Sequence, residues 1–214
     1  MPQMTLHIIN ARHQLTSIAE WISERLEDAF SVSARHLPLR DTDVILRAGK
    51  AVIQEKGHLG YAPERGLIYV TADPENPALR ANPSQSLERM LAHELHHSSR
   101  WDGPGYGKTL GEALVSEGLA GHFAQEAYGG EREPWEQLPA STLRPYFLKA
   151  QADWQSADYN HAEWFFGSQE FPAWLGYSLG YELVGRYLAT HSDARASSLV
   201  HADAACFRAL LNTV

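Results

Sequence analysis

Ala92-His93-Glu94-Leu95-His96-His97-Ser98 contains the pattern H-E-x-x-H, and its chemistry requires that these residues lie on a helix. The flanking residues favour one. Asn82-Pro83-Ser84-Gln85 reads as a helix start, with Asn82 as N-cap, Pro83 preset at the first helical position and Gln85 completing a capping-box-like pair. Gly103-Pro104 reads as the stop. At 3.6 residues per turn, His93 and His97 are about 40° apart and one turn of rise apart, so both imidazoles can reach one ion. Glu94 is offset by about 100° from His93, too far to share the coordination sphere but close enough to reach a water on the metal. Its expected role is that of a base. Leu87, Leu91 and Leu95 are placed to anchor the helix in a core.

In a chain with 11 His, this pattern arises by chance about once in thirty sequences, so a third ligand has to be found. A catalytic zinc takes three protein ligands and leaves a fourth position open. Glu112 and Glu117 are the nearest carboxylates downstream. Thr109-Leu110-Gly111-Glu112 has the form of a capping box, which gives Glu112 a structural task at a helix N-terminus. Glu117 falls mid-helix beside Leu114, Gly121 and Ala124, where burying an unpaired carboxylate is costly and a metal offsets that cost. Glu117 is therefore preferred, with Gly118 and Gly121 permitting close helix approach.

Around this centre the chain reads as α+β. Strands are expected at residues 5–9, 43–46 and 66–71, a helix at residues 17–30, and a loop or hairpin in the segment holding Gly57, Gly60 and Pro63. From Asn82 onward the pattern is helical, broken at 103–105, 129–130 and 167–172. The expected division is residues 1–130, carrying the motif and the Glu ligand, and a helical part at 131–214 closing the cleft, the two forming one compact unit. The 214 residues, 44% hydrophobic, suffice for a core without disulfides, and one cysteine allows no internal bridge. Cys206 is expected as a small buried hydrophobe in a C-terminal helix. A net charge of −8 without a Lys/Arg run argues against nucleic acid or an anionic membrane as partner. The N-terminal residues lack the basic and apolar regions of a signal peptide, and the expected location is the cytoplasm.

The pair His93-Glu94-Leu95-His96-His97 and Ser116-Glu117-Gly118-Leu119-Ala120, with nineteen residues between His97 and Glu117, resembles the gluzincin, or thermolysin-like, metallopeptidases. Within that clan, residues 91–123 and Gly176-Tyr177-Ser178-Leu179-Gly180-Tyr181 are similar to the bacterial YjaZ-like family of predicted zinc-dependent proteases, the resemblance spanning residues 82–188. It implies a zincin-like fold: a small mixed or antiparallel sheet with helices, an active-site helix bearing H-E-x-x-H, and a helical C-terminal part. It further implies Zn2+ as cofactor and a peptide or protein as substrate. Thermolysin-like enzymes carry Asn before the ligand Glu and Asp four residues after it; here Ser116 and Gly121 stand there, so the usual carboxylate behind a ligand histidine is absent. The Gly-x-Met-Glu-Asn element of gluzincin aminopeptidases is also absent. By the downstream position of the transition-state Tyr in that clan, Tyr177, and next Tyr181, are the candidate oxyanion donors; two packing aromatics are the alternative.

The resulting expectation is a zinc metallopeptidase with His93, His97 and Glu117 as ligands and Glu94 as general base. The alternatives are a non-catalytic zinc-stabilised regulatory or peptide-binding protein, and a zinc hydrolase of a non-peptide amide. An intact Glu94 argues against the first alternative, because a structural zinc site closes all four positions and needs no base. His96 is expected at the surface or behind the ligands. His58, His122, His161, His191 and His201 lack a partner at ligand spacing, although His122 follows Glu117 on the same helix. The aromatic cluster from Trp164 to Tyr187 is expected as core, some of it lining a specificity pocket, and Glu182 with Arg186 as a helix-surface ion pair.

Overall fold

A computed structural model describes residues 1–212 of the chain. The fold is α+β, with a small mixed sheet followed by helices. The chain divides into two compact units, Met1–Asp102 with Ala127–Gly130, and Gly103–Glu126 with Glu131–Val214.

In the first unit, β1 (Met4–Ile9), β2 (Thr42–Ala48), β3 (His58–Glu64) and β4 (Leu67–Ala72) form a four-stranded sheet in the order β1-β2-β4-β3. β1 pairs with β2 and β2 with β4 in parallel, in registers such as Leu6↔Val44 and Val44↔Ile68. β3 runs antiparallel to β4, so the segment expected as loop or hairpin is a hairpin whose turn places Gly66 at φ +70°. As the edge strand, β3 tolerates Pro63, which cannot donate to a ladder. The sheet is covered on one face. Val44, Leu46, Ile68 and Val70 alternate into the core, whereas Leu59 and Tyr61 on the edge strand are 40% and 62% exposed.

Helix α1 (Ala19–Ser33) buries Ile22, Leu26, Ala29, Phe30 and Ser33, one stripe at helical spacing, and packs against α3 (Ser86–Arg100). α3 answers with Leu87, Leu91 and Leu95, all fully buried, and also packs on β3 and β4. Between them lies the short α2 (Pro77–Ala81), capped by Asn76, whose side chain accepts from Ala78 N at 2.9 Å.

The second unit is helical: α4 (Leu110–Tyr128), α5 (Ala140–Ala152), α6 (His161–Phe166), α7 (Leu175–Thr190) and α8 (Ala205–Arg208), α4 running into the first unit at its last residues. α4 is buried around most of its circumference. Its orphan N-terminal donors are met by backbone, Leu110 N on Ser156 O and Gly111 N on Trp154 O, both at 3.0 Å. Gly118 and Gly180 let α4 and α7 meet backbone to backbone, since a Cβ at either position would collide with main chain of the other helix. Glu182 and Arg186 pair at 3.0 Å as expected, but half-buried, with the guanidinium over the Phe147 ring. Cys206 is exposed, contrary to expectation, because the short α8 turns Phe207 inward instead. Among the described residues no helix is long and apolar enough to cross a membrane.

Candidate metal centre

The start of α3 differs from the expected cap. Asn82 sits in the left-handed region at φ 41°, Pro83–Gln85 forms a 3-10 turn, and regular helix begins only at Ser86. Asn82 still caps the helix, accepting from Leu87 N at 2.8 Å and donating to Glu88 at 2.8 Å, but across an added turn. Gln85 makes no side-chain cap bond. The cause is local: a left-handed residue before Pro83 breaks the helical path that a simple N-cap would start, and Asn tolerates that conformation at little cost.

Thirteen of the fifteen residues of α3 are buried, including every polar one except His93, which is half-buried. His93 and His97 face one another one turn apart, with Nε2 atoms 3.0 Å apart and ring centroids 4.7 Å apart at 78°. Two imidazoles on a tetrahedral zinc with Zn–N of about 2.0–2.1 Å would hold their nitrogens about 3.3 Å apart, so these rings need move only a few tenths of an ångström. Glu94 is 9% exposed and His97 5%. His96 is fully buried, which excludes the surface position of the two expected for it, since α3 is covered on nearly all sides and leaves no solvent face for it.

Glu117 lies mid-α4 and is 8% exposed. The capping box upstream is formed: Glu112 accepts from Thr109 N at 2.9 Å and from Lys108 N at 2.8 Å, and Glu112 N donates back to Thr109 Oγ1 at 3.4 Å. That carboxylate is committed to the helix start. Glu117 instead has aromatic hydroxyls around it. Tyr106 hydrogen-bonds to it, and burial, reinforced by the Glu117 charge, raises the Tyr106 pKa. Tyr159 is pushed up to about 12 by burial with help from Glu117 and Glu112. Its hydroxyl meets His161 Nδ1 at 3.2 Å, and the His161 ring stacks on Phe165 at 4.3 Å. Burial lowers the His161 pKa while the Glu117 charge opposes that shift. The sequence does not single out Tyr106 and leaves His161 without a partner at ligand spacing; both come near Glu117 only through the loop before α4 and the start of α6.

One ligand atom from each of His93, His97 and Glu117 lies within 4.8 Å of the others. Two nitrogens and one carboxylate oxygen so placed could hold a metal ion, and they match in type the three protein donors that a catalytic zinc takes. The buried Glu136 carboxylate fills the space that a side chain at Gly121 would take, and Glu136 Oε2 accepts from Glu133 N at 2.9 Å. A carboxylate thus stands over the position where the sequence lacks one.

The two tyrosines singled out from the sequence are placed differently. Tyr177 is half-buried, edge-on to Phe165 at 5.0 Å, and its hydroxyl interacts electrostatically with Tyr106. Tyr181 is 2% exposed, stacks on His122 at 3.8 Å, lies under the Arg132 guanidinium and donates its hydroxyl to Gln125. His122 Nε2 bonds the Tyr181 carbonyl at 2.9 Å, and burial lowers its pKa to about 4. His191 stacks on Tyr187 at 4.0 Å, and the His201 ring blocks any side chain at Gly103.

A model of the family described as "Predicted Zn-dependent protease (DUF2268)" matches residues 22–208. The chain is also similar to "Uncharacterized protein YjfC" of Bacillus subtilis (strain 168), 36% identical over 85 residues, or 38% of this chain. The aligned part covers 27% of that protein, so the chain spans about a quarter of the relative's length.

Proposed function

Because the chain belongs to the family of predicted Zn-dependent proteases, we propose that it is a zinc metallopeptidase of the gluzincin type, with His93, His97 and Glu117 as ligands and Glu94 as general base. The observation that carries this reading is the approach of the three ligand atoms to within 4.8 Å beside a nearly buried Glu94. When bound, zinc supplies a Lewis acid that acidifies water and polarises a carbonyl oxygen.

The chain's own groups do the rest. Glu94, one residue after a ligand and turned about 100° round the helix, takes the proton of the attacking water and returns it to the leaving amine. Its burial favours that shuttle, since a carboxylate screened from bulk water exchanges protons with the reacting groups. Glu117 completes the ligand set, and the hydrogen bond from Tyr106 orients it. Glu136 occupies the space over Gly121, the position at which thermolysin-like enzymes carry their additional carboxylate.

The carbonyl oxygen gains negative charge during attack and needs a donor. Tyr177 serves in this reading: its hydroxyl belongs to the group around Tyr106 and Glu117, whereas that of Tyr181 is taken by Gln125. The substrate is a peptide or protein. The test is hydrolysis of a mixed peptide library by the zinc-loaded chain, with and without chelator. Cleavage that stops with chelator and returns with zinc supports the proposal; a zinc-loaded chain that cleaves none of the peptides removes the peptidase reading.

A further inference from the structure

Gly60 sits in the middle of the edge strand β3, paired with Val70 of β4, and its missing side chain would point at α3. A Cβ built there would lie 2.5 Å from Glu94 Cγ and 2.9 Å from Glu94 Oε1, with Met90 Sδ closer still. Real Cβ atoms essentially never approach other atoms so closely, so the Glu94 side chain rests directly on the strand backbone. Met90 and Glu94 are four residues apart on α3 and present one face to the strand.

The strand is held where this contact requires it. Residues 58, 60 and 62 fall on one face by the alternation of a strand. His58 Nε2 bonds Ser86 Oγ at 2.7 Å, tying the start of β3 to the start of α3. The Ala62 carbonyl accepts from Trp101 Nε1 at 3.1 Å, tying the strand to the residue that ends α3. Gly60 lies between these two fastenings, above Glu94. The backbone is pinned on both sides of the glycine, so an added methyl cannot be absorbed by moving the strand and must displace the side chains of α3.

We propose that Gly60 is a positioning residue for Glu94: the absence of a side chain at this point of the edge strand sets where the Glu94 carboxylate stands. The proposal rests on the reading of Glu94 as general base, and a side chain at Gly60 would act on Glu94 and its neighbour Met90 rather than on the ligands. Zinc ligation does not pass through Gly60. Misplacement of a catalytic group by about 1 Å costs on the order of 10²-fold in turnover. A Gly60→Ala chain therefore binds zinc normally and works slowly.

The experiment uses the full zinc-loaded chain and a pool of quenched fluorescent peptides, with Leu59→Ala, on the exposed face of the same strand, as control. Gly60→Ala is expected to lower kcat by about 10- to 100-fold, with KM within about twofold and zinc content unchanged. Leu59→Ala should match the parent. Thermal unfolding supplies a readout that does not depend on activity: Gly60→Ala lowers Tm by about 3–10 °C, and that loss falls by half or more in a Met90→Ala, Glu94→Ala background. A Gly60→Ala chain with parental kcat overturns the proposal, as does a Tm loss of the same size in both backgrounds. Loss of zinc in Gly60→Ala also overturns it, since the residue would then act on the whole centre. If the parent chain cleaves none of the peptides, the peptidase reading fails by itself, and the unfolding comparison still decides whether Gly60 positions the Glu94 side chain.

Discussion

Acidification from pH 8 to pH 5 should destabilise the fold through His58, and the size of that effect follows from its surroundings. The ring is 2% exposed, its Nε2 is engaged by Ser86 at 2.7 Å, and its Nδ1 has no hydrogen-bond partner among the described residues. Burial, with the nearby Lys56 charge adding to it, lowers the pKa from 6.5 to about 3. Between those two values the unfolded chain binds the proton and the folded chain does not. The contribution is therefore fully present above about pH 6.5 and is lost progressively as pH falls towards 3. At pH 5 the unfolded state is favoured about 30-fold by this one group, which is about 2 kcal/mol, or about 4–8 °C in Tm for a chain of this length. The assay is thermal unfolding at pH 8 and pH 5, in chelator so that metal release does not intervene, for the parent chain and for His58→Gln. Gln retains a partner for Ser86 but does not titrate, and the difference between the two chains cancels the other ionising groups. An equal pH dependence in both chains would refute the argument.

Other outcomes follow from the candidate centre. Glu94→Gln should keep zinc and lose on the order of 10²–10⁴-fold in turnover, measured on the peptide library; unchanged turnover would remove Glu94 from the mechanism. Tyr177→Phe should lower kcat by about 10²-fold with little change in KM, while a loss confined to Tyr181→Phe would move the oxyanion donor to that residue. Glu112→Ala should cost about 1 kcal/mol in denaturant unfolding through the lost capping box and leave zinc bound, whereas Glu117→Ala should release it; the reverse pattern in metal analysis would exchange the two glutamates.

The elements that were legible in the sequence are those whose signal is local. The stripe Ile22, Leu26 and Phe30 announced α1, the apolar β-branched runs announced β2 and β4, and the Thr109 to Glu112 spacing announced a capping box that forms. β3 was harder, because His58-Leu59-Gly60-Tyr61-Ala62-Pro63-Glu64 holds the two residues least favoured in strands. Each has a tertiary reason there: Gly60 for the contact with Glu94, Pro63 for the ladderless edge. Burial is less legible. His96 is readable as a surface residue or one behind the ligands, and the enclosure of α3 almost all round excludes the first; Cys206 reads as buried, yet its helix has one inward residue. The approach of Tyr106, Tyr159 and His161 to Glu117 depends on where a loop and the start of α6 come to lie, which no spacing in one sequence encodes.

The most direct test of the central claim is the metal content of the purified chain and of its His93→Ala and His97→Ala variants, measured by elemental analysis after dialysis against a weak chelator. The account predicts about one zinc per parent chain and markedly lower occupancy in each variant, because removing one of three ligands leaves too few contacts to hold the ion. Absence of zinc from the parent after reconstitution, or full occupancy in both variants, would contradict it.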